Sequence, residues 1–401
     1  MATTVDPGHR ARTAGLRDYP DFLVTLVERY EPDVIDVPGG RARIRLSAGE
    51  TEWDAVIDGG RLRIERGREG TEPDALLSAS EATWGRIAAD VRGGMDAFRA
   101  RKLRVRRNLH LGVGFLAATS GVDGPGRLRF DRHRTDIGEL STLSAGQGEP
   151  VVCIHGLGGT KASFLTTVNA LADSYRVIAV DLPGFGDSAK PITGGYDSQY
   201  FAKAVLSLLD ELGIERARLV GNSMGGRVAI EIGLTTPERA GDLVLLSPAV
   251  AWLRERQWKW LLRLPVARLG LIQPTPRGIT EGIVRRLVPG ADDGWAAAGV
   301  DEFLRAFLTP SGRAAFYASA SNVYLDEPHG ENGFWTRLES LSPRSLFVWG
   351  RQDPLVPIAF MNHVEKALPA ASHVELDCGH VPQMERSRET HEAMLRHFRA
   401  D

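Results

Sequence analysis

Leu219-Val220-Gly221-Asn222-Ser223-Met224-Gly225-Gly226 decides the fold of this 401-residue chain. An apolar run ends at Val220, a G-x-S-x-G pattern fills 221–225, and residues 224–234 have helical periodicity. A serine between glycines at a strand-to-helix turn sits on a strained backbone with its hydroxyl exposed, and the glycines remove side chains that would clash there. In a chain with 44 glycines the five-residue pattern alone would be weak evidence. The strand before it and the helix after it give the pattern its meaning.

Working outward, Val151-Val152-Cys153-Ile154 is apolar without alternation, and so are 175–180, 217–220, 242–246 and 344–349. Such runs mark strands buried on both faces, as in a parallel sheet. Helical segments at 161–172, 198–212, 224–234 and 358–368 separate them, which predicts helices on both faces of the sheet. Two short strands, 127–134 and 136–144, lead in. Residues 248–338, rich in Trp, Arg and Phe, break the rhythm between two strands and predict an inserted helical cap.

The first part of the chain reads as a separate α+β unit. Residues 1–17 carry no apolar run and are expected to be disordered. A helix is predicted at 18–30 and strands at 42–46, 52–58 and 61–66, with Asp58-Gly59-Gly60 as a hairpin turn. Ser80 is placed to cap a helix running to about Val91. A strand at 102–107 and an apolar helix at 109–119 follow. GVDGPG, 121–126, is the expected linker, so the predicted domains are 18–120 and 127–401, the latter with its cap at 248–338.

Composition bounds the function. The chain is 43% hydrophobic and 25% charged, enough to bury a large core. A net charge of −2 argues against nucleic acid as a partner. Two cysteines, Cys153 and Cys378, make no disulfide framework and read as small core-filling thiols. No secretion signal is seen, and no apolar stretch reaches the ~20 residues of a spanning helix. A cytoplasmic protein is expected, with peripheral contact to a membrane surface left open and the oligomeric state unspecified.

A serine hydroxyl needs a base to accept its proton, and the base an acid to orient it. Of ten histidines, His9, His110 and His133 lie before the sheet. His363, His391 and His397 read as helix-surface residues, His329 as cap loop and His373 as a strand edge. His380, in Asp377-Cys378-Gly379-His380-Val381-Pro382, falls after the last strand and is the expected base. The acid is Asp353, at the carboxyl end of strand 344–349, where ligands bind in such sheets. Asp377 is too near His380 in sequence to reach around, and Ser247 occupies the other position where an acid could stand. His155-Gly156-Leu157-Gly158-Gly159 supplies a glycine-rich loop on the same edge. The N–H groups of Leu157 and Met224 are the expected oxyanion donors, with His155 propping the loop. Gly184-Phe185-Gly186-Asp187-Ser188-Ala189 matches a dinucleotide pattern, but Pro183 and Pro191 prevent a helix from starting there. No cofactor and no metal are expected.

HGLGG, DLPGFGDS, GNSMGG, GRQDPLVP and CGHVPQ, in that order, resemble the α/β-hydrolase superfamily across 127–401. The resemblance implies an α/β-hydrolase fold, a mostly parallel sheet with helices on both faces and a helical cap, acting through Ser223, His380 and Asp353. GNSMGG is similar to the meta-cleavage-product hydrolases, which split carbon–carbon bonds with the same triad. Those enzymes generally carry Trp directly after the histidine, where this chain has Val381, and CGHVPQMER looks more like esterases and lipases. Residues 18–120 resemble the sterol carrier protein type 2 domain, a small α+β lipid-binding module.

Two further stretches bear on lipid. Residues 99–107 hold Arg99, Arg101, Lys102, Arg104, Arg106 and Arg107, either the solvated face of a strand or an anionic-lipid patch. In the cap, Trp252, Leu253, Trp260, Leu261 and Leu264 share one predicted helix face, packed over the site or placed in a lipid interface. Trp252, Trp260, Phe307 and Tyr317 are the expected substrate-binding residues. The expected activity is hydrolysis of an apolar, lipid-like carboxylic ester or thioester through an acyl-enzyme. Carbon–carbon bond hydrolysis is the alternative within the enzyme class, and a non-catalytic lipid carrier the alternative outside it.

Overall fold

The computed structural model describes residues 19–88, 94–121, 124–250, 270–287, 294–325 and 327–400. They form two compact units: Met1–Asp131 with Val284–Glu302, and Arg132–Ile283 with Phe303–Asp401.

The first unit is built on a five-stranded sheet of order β3-β2-β1-β4-β5. Its strands are β1 (Arg41–Ala48), β2 (Thr51–Asp58), β3 (Arg61–Arg66), β4 (Ala75–Ala79) and β5 (Leu103–Arg106). β1 pairs antiparallel with β2 across a turn at Gly49-Glu50, and β2 with β3 across the Gly59–Gly60 turn predicted from sequence. β4 was not foreseen. Its five residues, Ala-Leu-Leu-Ser-Ala, are too short and too uniform to show a period, yet they pair parallel to β1 in the middle of the sheet.

Helices α1 (Asp21–Glu28), α2 (Glu81–Ile87), α3 (Met95–Arg99) and α4 (Leu109–Ala118) complete this part. Ser80 caps α2 as predicted, its hydroxyl accepting the Thr83 N–H at 3.3 Å. Every residue of α4 is buried, and its glycines permit the fit: a Cβ on Gly112 would stand 2.5 Å from Val105. The segment 284–302 belongs here as well. Asp301 receives Arg106 through two nitrogens (2.7 and 3.2 Å) and the Arg107 N–H (2.8 Å), and Glu302 receives the Leu109 N–H (2.5 Å) at the start of α4. The insertion read at 248–338 is thus shared between the two units. Arg106 in the basic stretch is held by a carboxylate, and Leu103 and Val105 alternate with it into the core.

The second unit is an eight-stranded sheet of order β13-β12-β11-β10-β8-β9-β7-β6. In chain order these are β6 (Arg129–Thr135), β7 (Gly138–Ala145), β8 (Pro150–Ile154), β9 (Arg176–Val180), β10 (Ala217–Asn222), β11 (Ala240–Leu246), β12 (Ser345–Gly350) and β13 (Ser372–Leu376). From β9 to β13 all pairings are parallel, and β7 joins β9 antiparallel. The central runs are fully buried, as their unalternating composition requires.

The helices are α5 (Leu165–Leu171), α6 (Ser198–Glu211), α7 (Met224–Thr235), α8 (Arg277–Leu287), α9 (Gly294–Phe307), α10 (Pro310–Leu325), α11 (Phe334–Leu338), α12 (Met361–Ala367), α13 (Pro382–Glu385) and α14 (Ser387–Arg399). Of these, α8 and α9 run through both units. His391 and His397, read as helix-surface residues, are in fact buried: His391 pairs with the Thr167 hydroxyl at 3.1 Å, and His397 lies 3.4 Å from the Arg344 carbonyl. A polar ring on an amphipathic helix looks like surface until a polar partner is found for it. Both cysteines are buried and unpaired in disulfides. No helix among the described residues is long and apolar enough to cross a membrane.

Trp84 anchors the first unit: it is fully buried, stacks on Phe22 at 5.4 Å and donates its indole N–H to the Ser47 carbonyl at 2.9 Å. Trp84→Ala is expected to lower the unfolding free energy of this unit by about 3–5 kcal/mol. Urea denaturation followed by circular dichroism measures it, and a loss below about 1 kcal/mol would show that the ring's removal is absorbed by its neighbours.

Candidate active site

β10 ends at Asn222, and Ser223 takes φ +53° and ψ −118°, a conformation that L-residues rarely adopt. The turn is held from both sides: the Ser223 N–H donates to the Leu246 carbonyl (3.0 Å), and its carbonyl accepts the Ala249 N–H (2.9 Å). The glycines are sterically required. A Cβ on Gly225 would lie 2.0 Å from the Ile154 carbonyl oxygen, one on Gly221 2.3 Å from the Gly225 oxygen, and one on Gly156 3.0 Å from the Ser223 Cβ. The loop after β8 is therefore brought directly against the serine.

Asp353 follows β12 by three residues. One carboxylate oxygen accepts the N–H groups of Leu355 (2.8 Å) and Val356 (2.9 Å), and the other faces His380 Nδ1 at 2.7 Å. Burial alone would raise the Asp353 pKa, but the His380 hydrogen bond and charge and the two N–H donors outweigh it and hold it below the usual carboxylate value. An ionised Asp353 fixes the proton of a neutral ring on Nδ1 and leaves Nε2 as the acceptor. Asp377 is turned elsewhere, accepting the Gln352 amide at 2.8 Å. Asn222 ties the elbow to the histidine loop, its Nδ2 donating to the Leu246 (3.0 Å) and His380 (3.1 Å) carbonyls. Among the described residues no hydrogen bond joins the Ser223 hydroxyl to His380.

The N–H groups of Leu157 and Met224 donate to no acceptor among the described residues. His155, buried, donates from Nδ1 to the Gly156 carbonyl (2.8 Å) and accepts the Leu182 N–H at Nε2 (3.0 Å), which fixes its tautomer and holds the loop. Burial pushes its pKa down, so it stays neutral. Among the described residues no group of His, Cys, Asp and Glu is arranged to hold a metal ion.

Of the four cap residues read from sequence, Trp252 and Trp260 lie outside the described residues. Phe307 and Tyr317 belong to a ring cluster with Phe303 and Phe316, with centroids 5.0–6.1 Å apart. The members against the glycine loop are Phe303 and Phe316: a Cβ on Gly158 would stand 2.9 and 3.3 Å from their rings. Sequence reasoning missed both, although Phe303 precedes Phe307 by one helical turn. A small cavity beside Met224 is lined by Tyr196, Phe201, Val250, Asn322 and Arg227. The Arg227 guanidinium lies 3.9 Å from the Phe334 ring centroid.

A second feature missed from sequence lies beneath the loop. Lys161, buried, contacts Asp181 (2.5 Å) and Asp187 (3.1 Å), and Arg305 of α9 forks onto Asp187 (2.7 and 3.0 Å). Asp181 also accepts the backbone N–H groups of Lys161 (2.7 Å) and Asp187 (2.8 Å). Burial would lower the Lys161 pKa, but the two carboxylates raise it above the ordinary value. The web ties the glycine loop, the 181–188 loop and α9 together.

Removing one partner of such a pair strands a buried charge. Lys161→Met is expected to cost about 3–5 kcal/mol, and adding Asp181→Asn to recover part of it. A double-mutant cycle by urea denaturation measures the coupling, and additive losses would show that the two groups do not interact.

Residues 149–387 match the alpha/beta hydrolase fold family, and residues 26–116 match the SCP-2 sterol transfer family. Among curated proteins, the dihydrolipoyllysine-residue acetyltransferase component of the acetoin cleaving system of Cupriavidus necator is 33% identical over 265 residues, 63% of this chain. The match spans 64% of that relative's length. The 2-hydroxy-6-oxononadienedioate/2-hydroxy-6-oxononatrienedioate hydrolase of Paraburkholderia phymatum is 32% identical over 254 residues, 62% of this chain and 86% of the relative. Among solved structures, a membrane phospholipase A described as a bacterial virulence factor superposes with a TM-score of 0.53 at 26% identity, over 69% of this chain and 87% of that one. The chain belongs to the alpha/beta hydrolase fold family.

Proposed function

We propose that the chain is a serine hydrolase cleaving an apolar, lipid-like carboxylic ester or thioester through an acyl-enzyme. Ser223 attacks the carbonyl carbon while His380 Nε2 takes its proton, and Asp353 keeps the ring in the required tautomer and stabilises the imidazolium. The N–H groups of Leu157 and Met224 receive the oxyanion, a contribution of about 3 kcal/mol for each donor. The leaving alkoxide or thiolate departs with the proton from His380. Water, deprotonated by the same ring, then frees the acid and restores Ser223.

The observation that carries this reading is the 2.7 Å contact of Asp353 with His380 Nδ1, on a loop that Asn222 ties to a serine at positive φ. The ring cluster of Phe303, Phe307, Phe316 and Tyr317 beside Gly158 favours an apolar acyl group, which gains chiefly by burial. The likeness to a phospholipase A and a unit matching sterol transfer proteins point the same way. A lipid-binding unit on the same chain would raise the local concentration of a poorly soluble substrate.

Carbon–carbon bond hydrolysis is the second reading. The dienedioate hydrolase relative supports it, and Arg227 at the cavity beside Met224 is a cation suited to a carboxylated substrate.

Two measurements separate these readings from each other and from a lipid carrier. A fluorophosphonate probe is expected to label the wild-type protein and not Ser223→Ala; folded wild-type protein that resists labelling would favour the carrier. Against p-nitrophenyl esters of graded length and a dienone diketone, the highest kcat/KM is expected on a medium or long acyl chain. His380→Ala is expected to lower kcat by about 10⁴-fold or more. A preference for the diketone would replace the ester reading with the carbon–carbon one.

A further inference from the structure

The loop carrying His380 is gripped on both sides of that residue by a single carboxylate. Glu385, the last residue of α13, accepts the Gly379 N–H at Oε2 (2.7 Å) and the Val381 N–H at Oε1 (3.0 Å). A Cβ on Gly379 would stand 3.1 Å from each of these oxygens, so the carboxylate lies flat against the backbone there. The His380 carbonyl is taken by Asn222 and its ring by Asp353. Among the described residues, Glu385 is thus the acceptor for both amides that flank residue 380.

Helix capping accounts for half of this. Val381 is the N-cap of α13, and a carboxylate from the first turn reaching back to the N-cap N–H is one half of a capping box, whose other half the Val381 side chain cannot supply. It does not account for the bond to Gly379, two residues outside the helix. Glu385 is exposed, where its charge alone would contribute little. A bidentate grip on two amides is worth more, because charge-assisted bonds are about twice as strong as neutral ones. The start of the loop is held by other groups: Gln352 donates its N–H to the Cys378 carbonyl (2.9 Å) and Arg386 its Nε to the Asp377 carbonyl (2.9 Å).

We propose that Glu385 is a positioning residue for the reaction: it fixes the backbone pivot of His380 so that Nε2 is aimed at Ser223 while Nδ1 stays on Asp353. This rests on His380 being the base. Without the Glu385 carboxylate the ring keeps Asp353 as its partner but turns about it: the carbonyls of Cys378, His380 and Val381 stay bonded, and the amides of Gly379 and Val381 on either side of the ring lose the acceptor that Glu385 gives them. The effect falls on kcat and not on KM, since no part of Glu385 is placed at the substrate.

Full-length Glu385→Ala, Glu385→Gln and Glu385→Asp are compared with wild type, Ser223→Ala and His380→Ala on a short p-nitrophenyl ester, with thermal midpoints measured in parallel. Glu385→Ala is expected to lower kcat by about 10²-fold with KM within about twofold, the scale of a misplacement near 1 Å. Glu385→Gln, keeping one acceptor oxygen, is expected to retain roughly a tenth of kcat, and Glu385→Asp, too short to span both amides, to lie nearer Ala. In proton NMR, the low-field Nδ1 resonance of His380 is expected to be sharp in wild type and broadened in Glu385→Ala. Wild-type kcat per folded molecule in Glu385→Ala, with Ser223→Ala and His380→Ala inactive, would overturn the proposal. If Glu385→Ala does not fold, wild-type kcat in Glu385→Gln overturns it equally. Activity surviving in Ser223→Ala or His380→Ala would instead refute the assignment of the base, and the positioning role with it.

Discussion

The Cα of Gly225 passes so near the carbonyl of Ile154 that a single methyl group there would sit 2.0 Å from the oxygen. This backbone approach, between the end of β8 and the start of α7, is the constraint that the rest of the site depends on. It sets Leu157 and Met224 on neighbouring stretches of chain, and it holds Ser223 in a backbone conformation that costs of order 1–3 kcal/mol. The strain persists because the buried strands on either side, β8 and β11, leave the turn no room to relax.

Charge is used in two ways around that constraint. Under the glycine loop, Lys161 and Asp181 are both buried and rely on each other and on backbone donors. Above it, Asp353 is buried but supplied with two N–H groups and an imidazole, so its ionised form is retained without a lysine or arginine. The first arrangement specifies where loops and α9 lie. The second holds the His380 ring by Nδ1.

How much of this was legible in the sequence follows from what a sequence encodes locally. Strands buried on both faces announce themselves as unbroken apolar runs, and the elbow by glycines whose absence of side chains is the point. The order of Asp353 and His380 along the chain, after the serine of the elbow, is what singles out that pair, and the fold joins them at 2.7 Å. β4 was hidden because five small and apolar residues carry no period. Lys161, Asp187 and Arg305 are separated by up to 144 positions and look like ordinary surface charges until the fold brings them together. His391 and His397 were misread for the same reason. Phe303 and Phe316 fell in a helix pair whose inward faces no period could rank above Phe307 and Tyr317. Glu385 sits five residues after His380, and only the path of the backbone shows that both its oxygens are turned back toward that residue's flanking amides.

The first unit borrows Val284–Glu302 from far downstream, and Asp301 and Glu302 end up serving Arg106, the Arg107 amide and the first turn of α4. The first unit is therefore discontinuous in sequence, and severing the chain after Asp131 would not release it whole. A fragment ending there would carry the entire stretch that matches sterol transfer proteins and still lack two of its acceptors. Through that borrowed piece, translation of this unit is finished only after Arg132–Ile283 of the second unit has been made. The first unit cannot be complete until that much of the second has been made.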